Sequence, residues 1–248
     1  DLMRASGAAK AAKKAGRVAS EGLVSIAVSD NNKSAAILEV NSETDFVAKG
    51  GAFIDFVNKL AKLALKNMPS NIEEFLSQTL DTGETVDKAR ENIVAKIGEN
   101  ISIRRVKVVK TGNGTIGAYK HGGRIAVLTH LAEDNAPLAK DIAMHIAASK
   151  PECVSEDLLS EGLIERERAI FIEQAKESGK PDNIIEKMIV GRMKKFVNEV
   201  TLYGQPFVKD PETTVGKLVK SNNNEVVSFV RFEVGEGIEK KEDNFVEE

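Results

Sequence analysis

The two halves of this chain repeat one pattern of predicted secondary structure. Each half has two adjacent strand-like segments, a helix with an apolar face, and later a second helix followed by a last strand. Ala48-Lys49 aligns with Ala139-Lys140, and Val94-Ala95-Lys96-Ile97 corresponds to Val215-Gly216-Lys217-Leu218. The simplest interpretation is two related β-β-α…α-β units. We therefore predict an α+β fold with two related α/β core subdomains built on antiparallel sheets.

Turn residues and hydrophobic periodicity give the bounds of these elements. Strands are predicted at residues 23–28, 35–40, 101–109, 114–120, 124–129 and 226–234. The glycine-rich turn His121-Gly122-Gly123 joins two of them as a tight hairpin. In the strand at 101–109, simple alternation places Ile101 and Ile103 on one face and Val106 and Val108 on the other.

An insertion at about 155–201 separates the two helices of the second unit. Apolar residues at helical spacing, interrupted by Gly179-Lys180-Pro181, predict two helices joined by a turn. A lone helical hairpin cannot bury faces this apolar. It either packs on the core or pairs with a second copy of itself.

The segment Glu39–Lys49 lies where the hydrophobic period changes from two to 3.6. Thr44 and Asp45 occupy a natural capping position for the helix that follows. One interpretation is a capped helix in which Phe46 joins the core. The other is that Asp45 and Phe46 project from a strand-to-helix junction and contact a partner. The second unit has Asn135-Ala136-Pro137 at this place, and this difference favours a functional role for the first copy.

Composition limits the classes of function. The chain has 248 residues and a formal net charge of −3, which gives no global reason to expect a nucleic-acid partner. Lys10, Lys13, Lys14 and Arg17 form a basic cluster, but no aromatic residues interleave with it for base stacking. With Cys153 as the only cysteine, no internal disulfide can form. We expect a cytoplasmic protein without a membrane-spanning segment or direct nucleic-acid binding.

An enzymatic function would depend on Cys153 and three histidines. Cys153 follows a helix end and is typical of a spectator thiol, while His130 and His145 lie in apolar segments typical of core histidines. No paired-cysteine metal motif and no phosphate-binding loop occurs in the sequence. We therefore expect no enzymatic activity and no cofactor. RNA binding or a replicase-accessory role remains an alternative at this point.

The segment Glu39–Lys49 resembles the signature of the elongation factor Ts family, the bacterial exchange factors for elongation factor Tu. Four other segments are similar to that family, at residues 96–100, 121–125, 144–149 and 204–208. The resemblance implies two α/β core subdomains and an inserted antiparallel coiled coil that forms a homodimer. It also implies an N-terminal module, of which this sequence holds the trailing edge, and a longer C-terminal helix.

The resemblance assigns partner-binding roles to eight residues. Thr44, Asp45, Phe46 and Val47 match the residues that dislodge Mg²⁺ from elongation factor Tu. His121 and Gly122 match a turn that approaches the phosphate-binding loop of the GTPase. Ile97 and Gly98 match a further loop near the same interface.

These assignments divide the chain into five parts. We predict the end of an N-terminal module at 1–18, core subdomain N at 19–110, core subdomain C at 111–152 and 202–236, a helical-hairpin dimerisation domain at 153–201, and a partial C-terminal module at 237–248. At the end of the sequence, the acidic and weakly apolar residues from Gly235 to Glu248 suggest a short docking helix.

Overall fold

The computed structural model describes the backbone of residues 2–240 and the side chains of residues 7–240. In chain order the elements are α1 Leu2–Lys14, β1 Glu21–Val28, β2 Ser34–Ser42, α2 Asp45–Ala48, α3 Gly51–Asn67, α4 Ile72–Ser77, α5 Val86–Ile97, β3 Ser102–Lys110, β4 Thr115–His121, β5 Ile125–Leu131, α6 Ala136–Ser149, a 3₁₀ turn Glu156–Leu158, α7 Glu161–Glu177, α8 Asp182–Val200, β6 Pro206–Phe207, β7 Asp210–Thr214, α9 Val215–Ser221 and β8 Val226–Glu233.

Two three-stranded antiparallel sheets carry the fold. One has the strand order β1-β2-β3 and the other β4-β5-β8, and a short β6-β7 ribbon accompanies them. In both sheets the first two strands form a hairpin and the third arrives after a helix, α5 in one unit and α9 in the other. The α+β fold and the repeated β-β-α…α-β plan are therefore confirmed.

The sheets pack face to face, and helices cover their outer faces. Val24, Ile37, Leu128 and Phe232 belong to the core between the sheets. The outer face of the first sheet is buried under α3, α4 and α5, and the outer face of the second under α6 and α9. Strand β2 is buried on both faces, which explains the continuous apolar run that identified it in the sequence.

The faces assigned to β3 by simple alternation were wrong. The β2–β3 register shifts between Glu39 and Val40, which pair with Arg105 and Ile103, so Arg104 is an extra residue in β3. Such a bulge advances the alternation by one position. Consequently Ile103, Val106 and Val108 all contact the same core beneath α3.

Side-chain caps fix where the helices begin. Thr44, Asn71, Thr85, Asn135 and Thr214 each accept a hydrogen bond from the backbone N–H three residues later. Each cap satisfies one of the amides that have no partner in the first helical turn. Thr214 provides this cap for α9 by accepting from Lys217 N.

Helices α7 and α8 form the predicted hairpin and pack chiefly against each other. Phe171 and Phe196 meet edge to face, with ring centroids 6.5 Å apart. Ala175 and Met193 are buried, whereas Ile170, Ile184 and Val190 are exposed. Because these apolar side chains stay exposed, the possibility that the hairpin buries its faces on the core is excluded for the described chain.

The chain after β8 runs back along the first sheet. Residues 235–240 contain turns and no helix, so the docking helix predicted from Gly235 onward is absent from that part. The rest of its predicted span, residues 241–248, lies outside the described residues. Gly235 N donates to Glu39 Oε2 over 2.8 Å, and the Glu236 carboxylate pairs with Lys150 at 3.1 Å.

Candidate protein-interaction surface

Phe46 lies on α2, a single helical turn between β2 and α3. Its side chain is 83% exposed, so the interpretation that placed it in the core was wrong. The core of the first unit anchors the turn, because Ala48 is buried in it and Val47 packs against it. Thr44 Oγ1 caps the turn by accepting a hydrogen bond from Val47 N at 3.3 Å. The result is an aromatic ring presented to solvent by an anchored backbone.

Asp45 stands beside this ring and carries an exposed negative charge. Its carboxylate pairs with Lys49 one turn later, with Nζ 2.7 Å from Oδ2. The hydrogen bond and the charge of Lys49 lower the pKa of Asp45 below its usual value. Since both side chains are exposed, solvent screens the pair and a partner can replace Lys49 at little cost.

The second unit caps its helix in the same way as the first but does not interrupt it. Asn135 accepts a hydrogen bond from Leu138 N and caps α6, as Thr44 caps α2. From there α6 continues without interruption to Ser149, whereas the first unit breaks after α2 and restarts at Gly51. The break gives the first unit a separate projecting turn, and the second unit has none.

Two glutamates that the sequence did not single out hold this turn in place. The Glu99 carboxylate accepts hydrogen bonds from Glu43 N at 3.0 Å, Thr44 N at 3.1 Å and Thr44 Oγ1 at 2.7 Å. In return, the Glu43 carboxylate accepts one from Asn100 N at 2.7 Å. The β2–α2 junction and the α5–β3 loop are therefore joined by a reciprocal exchange of carboxylates. The spacing of the two glutamates in the sequence gave no signal for this contact.

Ile97 is the last residue of α5, and Gly98 begins the same α5–β3 loop. Gly98 ends α5 with a φ of 89°, a left-handed conformation that favours glycine. Its carbonyl accepts a hydrogen bond from Lys14 Nζ at 2.5 Å, which connects the loop to the end of α1. Because Glu99 follows Gly98 directly and binds Thr44, these two predicted patches are neighbours in the structure.

His121 and Gly122 form the turn between β4 and β5. Gly122 and Gly123 have φ values of 58° and 74°, and Arg124 N closes the turn on His121 O at 3.1 Å. The turn contacts β1 through a hydrogen bond that Val24 N donates to Gly123 O at 2.9 Å. The centroid of the His121 ring lies 6.4 Å from that of Tyr119. Both side chains line a cavity of about 390 Å³ together with Met144 and Arg231.

The start of β1 contacts both the junction before the α2 turn and the turn that carries His121 and Gly122. Glu21 pairs in register with Ser42, just before the α2 junction. The Glu21 carboxylate also bonds Arg124 at 2.8 Å, just after the His121 turn. Strand β1 is therefore the common support for α2 and for the glycine turn. No single sequence motif contains this relation, since the two segments are far apart in the chain.

Glu39, within the same signature segment, has a structural role. Its carboxylate is fully buried and binds Arg104 at 3.0 Å and Arg105 at 2.9 Å. Gly235 N is a further donor, and Arg105 also covers the Phe232 ring at 4.1 Å. The bulge at Arg104 allows both arginines to reach one carboxylate. Glu39 thus ties together β2, β3 and the segment after β8.

Two of the residues considered for enzymatic chemistry, His145 and Cys153, have hydrogen-bond partners within the fold. His145 is fully buried, with Nε2 2.9 Å from Gln205 Oε1 and Nδ1 accepting from Val208 N at 3.2 Å. Burial lowers the pKa of His145 and of His130, and burial raises the pKa of the Cys153 thiol. Among the described residues, no group of three His, Cys, Asp or Glu side chains has a metal-binding arrangement. None of the helices within residues 2–240 is long and apolar enough to span a membrane.

Comparison with known proteins identifies the family. The family model described as Elongation factor TS matches residues 43–236. A curated elongation factor Ts of Ruthia magnifica is 70% identical over 248 residues, which are 100% of this chain and 84% of the relative. That of Legionella pneumophila (strain Paris) is 58% identical over 246 residues, covering 99% of this chain and 84% of the relative. One of Methylococcus capsulatus is 54% identical over 248 residues, or 100% of this chain and 85% of the relative. With this match over most of its length, the chain belongs to the elongation factor Ts family of translation elongation factors.

Proposed function

We propose that the chain is a guanine-nucleotide exchange factor that binds elongation factor Tu·GDP, displaces Mg²⁺ and promotes GDP release so that GTP can bind. The observation that carries the proposal is the exposure of Phe46, 83% of its side chain, on a turn fixed by Thr44 and Glu99. An aromatic ring held in water by a rigid backbone is stabilised once a partner covers it. Such rings are typical anchors of protein interfaces.

The exchange reaction needs no covalent chemistry from this chain. GTPases hold GDP with a backbone phosphate cradle, a lysine and Mg²⁺. A protein that binds more tightly when these elements are displaced weakens the nucleotide by a coupling free energy. Phe46 supplies the apolar contact, and the ionised Asp45 beside it adds a negative charge that competes with the ligands of Mg²⁺ and draws cationic groups of the GTPase toward itself.

The other predicted contacts extend the same surface. His121 and Gly122, on a turn that projects beyond both strands, are assigned to the phosphate-binding side of the GTPase. Ile97 and Gly98 are assigned to the flank, next to the turn that carries Phe46. The support for one continuous surface is their shared attachment, through Glu99 in one case and through β1 in the other.

We further propose that α7 and α8 form a homodimer with a second copy and that the protein acts in the cytoplasm. The exposed Ile170, Ile184 and Val190 support the dimer. The RNA-binding alternative gains no support from the basic cluster of α1. Lys14 is bonded to Gly98 O, and Arg17 lies 3.5 Å from the Glu43 carboxylate, so both residues act within the fold.

The test is the release of fluorescent GDP from elongation factor Tu in excess unlabelled GTP. Adding the chain is expected to accelerate release in proportion to its concentration until the rate saturates. Val227→Ala, an exposed apolar position near the start of β8 and far from the His121 turn, is the matched control and should leave the rate unchanged. If the chain at saturating concentration leaves the spontaneous rate unaltered, the proposed function is wrong.

A further inference from the structure

We propose that Glu99 is a positioning residue for nucleotide exchange, which holds the α2 turn in the orientation that presents Asp45 and Phe46. This inference rests on the proposed function and adds to it a residue outside the predicted contact set. It starts from an energetic problem in α2. The turn contains four residues, Asp45–Ala48, and a single turn of helix is unstable in isolation because nucleation costs more than its few hydrogen bonds return.

Apolar contacts anchor only the C-terminal half of the α2 turn. Val47 packs on the core and Ala48 is buried, so the C-terminal half is held by apolar contact. The N-terminal half, which carries Asp45 and Phe46, is exposed. Packing therefore leaves the direction of the Phe46 ring unspecified. A polar contact at the N-terminal end is required to define it.

Glu99 supplies this contact through three hydrogen bonds to adjacent residues. Oε2 accepts from the backbone amides of Glu43 and Thr44, and Oε1 accepts from the Thr44 hydroxyl. Hydrogen bonds to an ionised carboxylate are stronger than neutral ones. Two amides and a hydroxyl converge on one carboxylate, so the backbone at Glu43 and Thr44 cannot rotate without breaking at least one of these bonds.

The Thr44 hydroxyl transmits this constraint to the helix. A hydroxyl has one proton to donate and two lone pairs to accept with. At 2.7 Å from Glu99 Oε1, the proton of Thr44 is committed to the carboxylate. Its lone pairs then face the other side, where Val47 N donates over 3.3 Å. Glu99 thus orients the cap, and the cap orients the turn.

The Glu99 side of the contact is itself fixed. Asn100 N donates to Glu43, Asn100 Nδ2 donates to Arg17 O at 2.7 Å, and Lys14 Nζ binds Gly98 O. The loop that bears Glu99 is therefore attached to both α1 and the β2–α2 junction.

The first measurement uses the free protein and needs no partner. Amide hydrogen exchange is compared between the parent chain and Glu99→Ala at Val47 and Lys49, whose N–H groups donate to Thr44 Oγ1 and to Asp45 O. Losing the free energy of about one strong hydrogen bond is expected to make the turn open more often and to speed exchange by roughly tenfold at these amides. Unchanged protection there would overturn the proposal. Glu91→Ala, on α5 ahead of the loop that bears Glu99 and paired with Lys88, is the control and should leave these amides unaffected.

The second measurement separates positioning from general stability. The maximal rate of GDP release and the concentration of half saturation are determined for Glu99→Ala, Glu99→Gln and Phe46→Ala. We expect Glu99→Ala to lower the maximal rate about tenfold with half saturation changed less than about twofold, since the rest of the surface is intact. Glu99→Gln keeps one acceptor oxygen and should fall between Glu99→Ala and the parent.

The double variant gives the decisive outcome. If Glu99 acts through Phe46, adding Glu99→Ala to Phe46→Ala slows release by much less than Glu99→Ala does in the parent. Additive effects, or an equal loss with Glu91→Ala, would overturn the proposal. If the parent itself fails to accelerate release while the α2 amides still respond to Glu99→Ala, the proposed function fails and the structural role of Glu99 stands.

Discussion

Replacing Phe46 by alanine distinguishes an interface residue from a core residue. The ring is 83% exposed, so its removal leaves no cavity and withdraws little apolar contact in the free protein. We expect the free energy of unfolding to change by less than about 0.5 kcal/mol, as for ordinary surface positions. The matched control is Phe53→Ala, seven residues later in α3, where the ring is fully buried. There the expected loss is about 3–5 kcal/mol. Urea unfolding of both variants beside the parent measures this contrast.

The same substitution should have a large effect on exchange. Burying a phenylalanine ring in a partner contributes about 1.5–3 kcal/mol. At about 1.4 kcal/mol for each factor of ten, Phe46→Ala should slow GDP release by roughly ten- to a hundredfold. Stopped-flow release of fluorescent GDP measures it. If Phe46→Ala unfolds as easily as Phe53→Ala, yet exchanges nucleotide at the parent rate while folded, the assignment of Phe46 to the contact with elongation factor Tu is refuted.

Three further predictions concern other parts of the molecule. Asp45→Ala should also slow GDP release, and its effect should be non-additive with that of Phe46→Ala if the two side chains act as one unit; additive effects would separate their roles. His145 is held neutral, because burial lowers its pKa and its Nδ1 accepts the Val208 N–H. The unfolded chain therefore binds more protons than the folded chain below about pH 6.5, so the unfolding free energy should fall as the pH decreases through that value. His145→Gln should flatten this pH dependence, which urea unfolding between about pH 7.5 and 5 measures. Replacing residues 161–196 by a short glycine-serine linker should leave a folded monomer, which sedimentation velocity measures, whereas a parent chain already monomeric at about tens of micromolar would contradict dimerisation through α7 and α8.

Local chemistry made much of the fold predictable. The cap at Thr44 and the glycine turn at His121–Gly123 lie where sequence patterns place them. The repeat predicted the matching order of strands in the two sheets. The helical hairpin followed from its apolar spacing. These features depend on residues close together in the chain, which a single sequence records well.

The errors and omissions arise from contacts between distant segments. The bulge at Arg104 reverses the alternation in β3, and it is stabilised by the buried Glu39, which no periodic pattern indicates. The contact of Glu99 with Thr44 joins residues 55 positions apart. Phe46 illustrates the same limit, since its exposure depends on the break between α2 and α3 rather than on its own hydrophobicity.

Exchange by displacement requires that nucleotide and exchange factor weaken each other, and this can be measured at equilibrium. Calorimetric titration gives the affinity of the chain for nucleotide-free elongation factor Tu and for its GDP·Mg²⁺ complex. We predict that GDP weakens binding of the chain by the same factor by which the chain weakens binding of GDP, and that this factor is about five- to 150-fold. Phe46→Ala should reduce both factors together. Equal affinity of the chain for the two forms of elongation factor Tu would contradict the proposed mechanism.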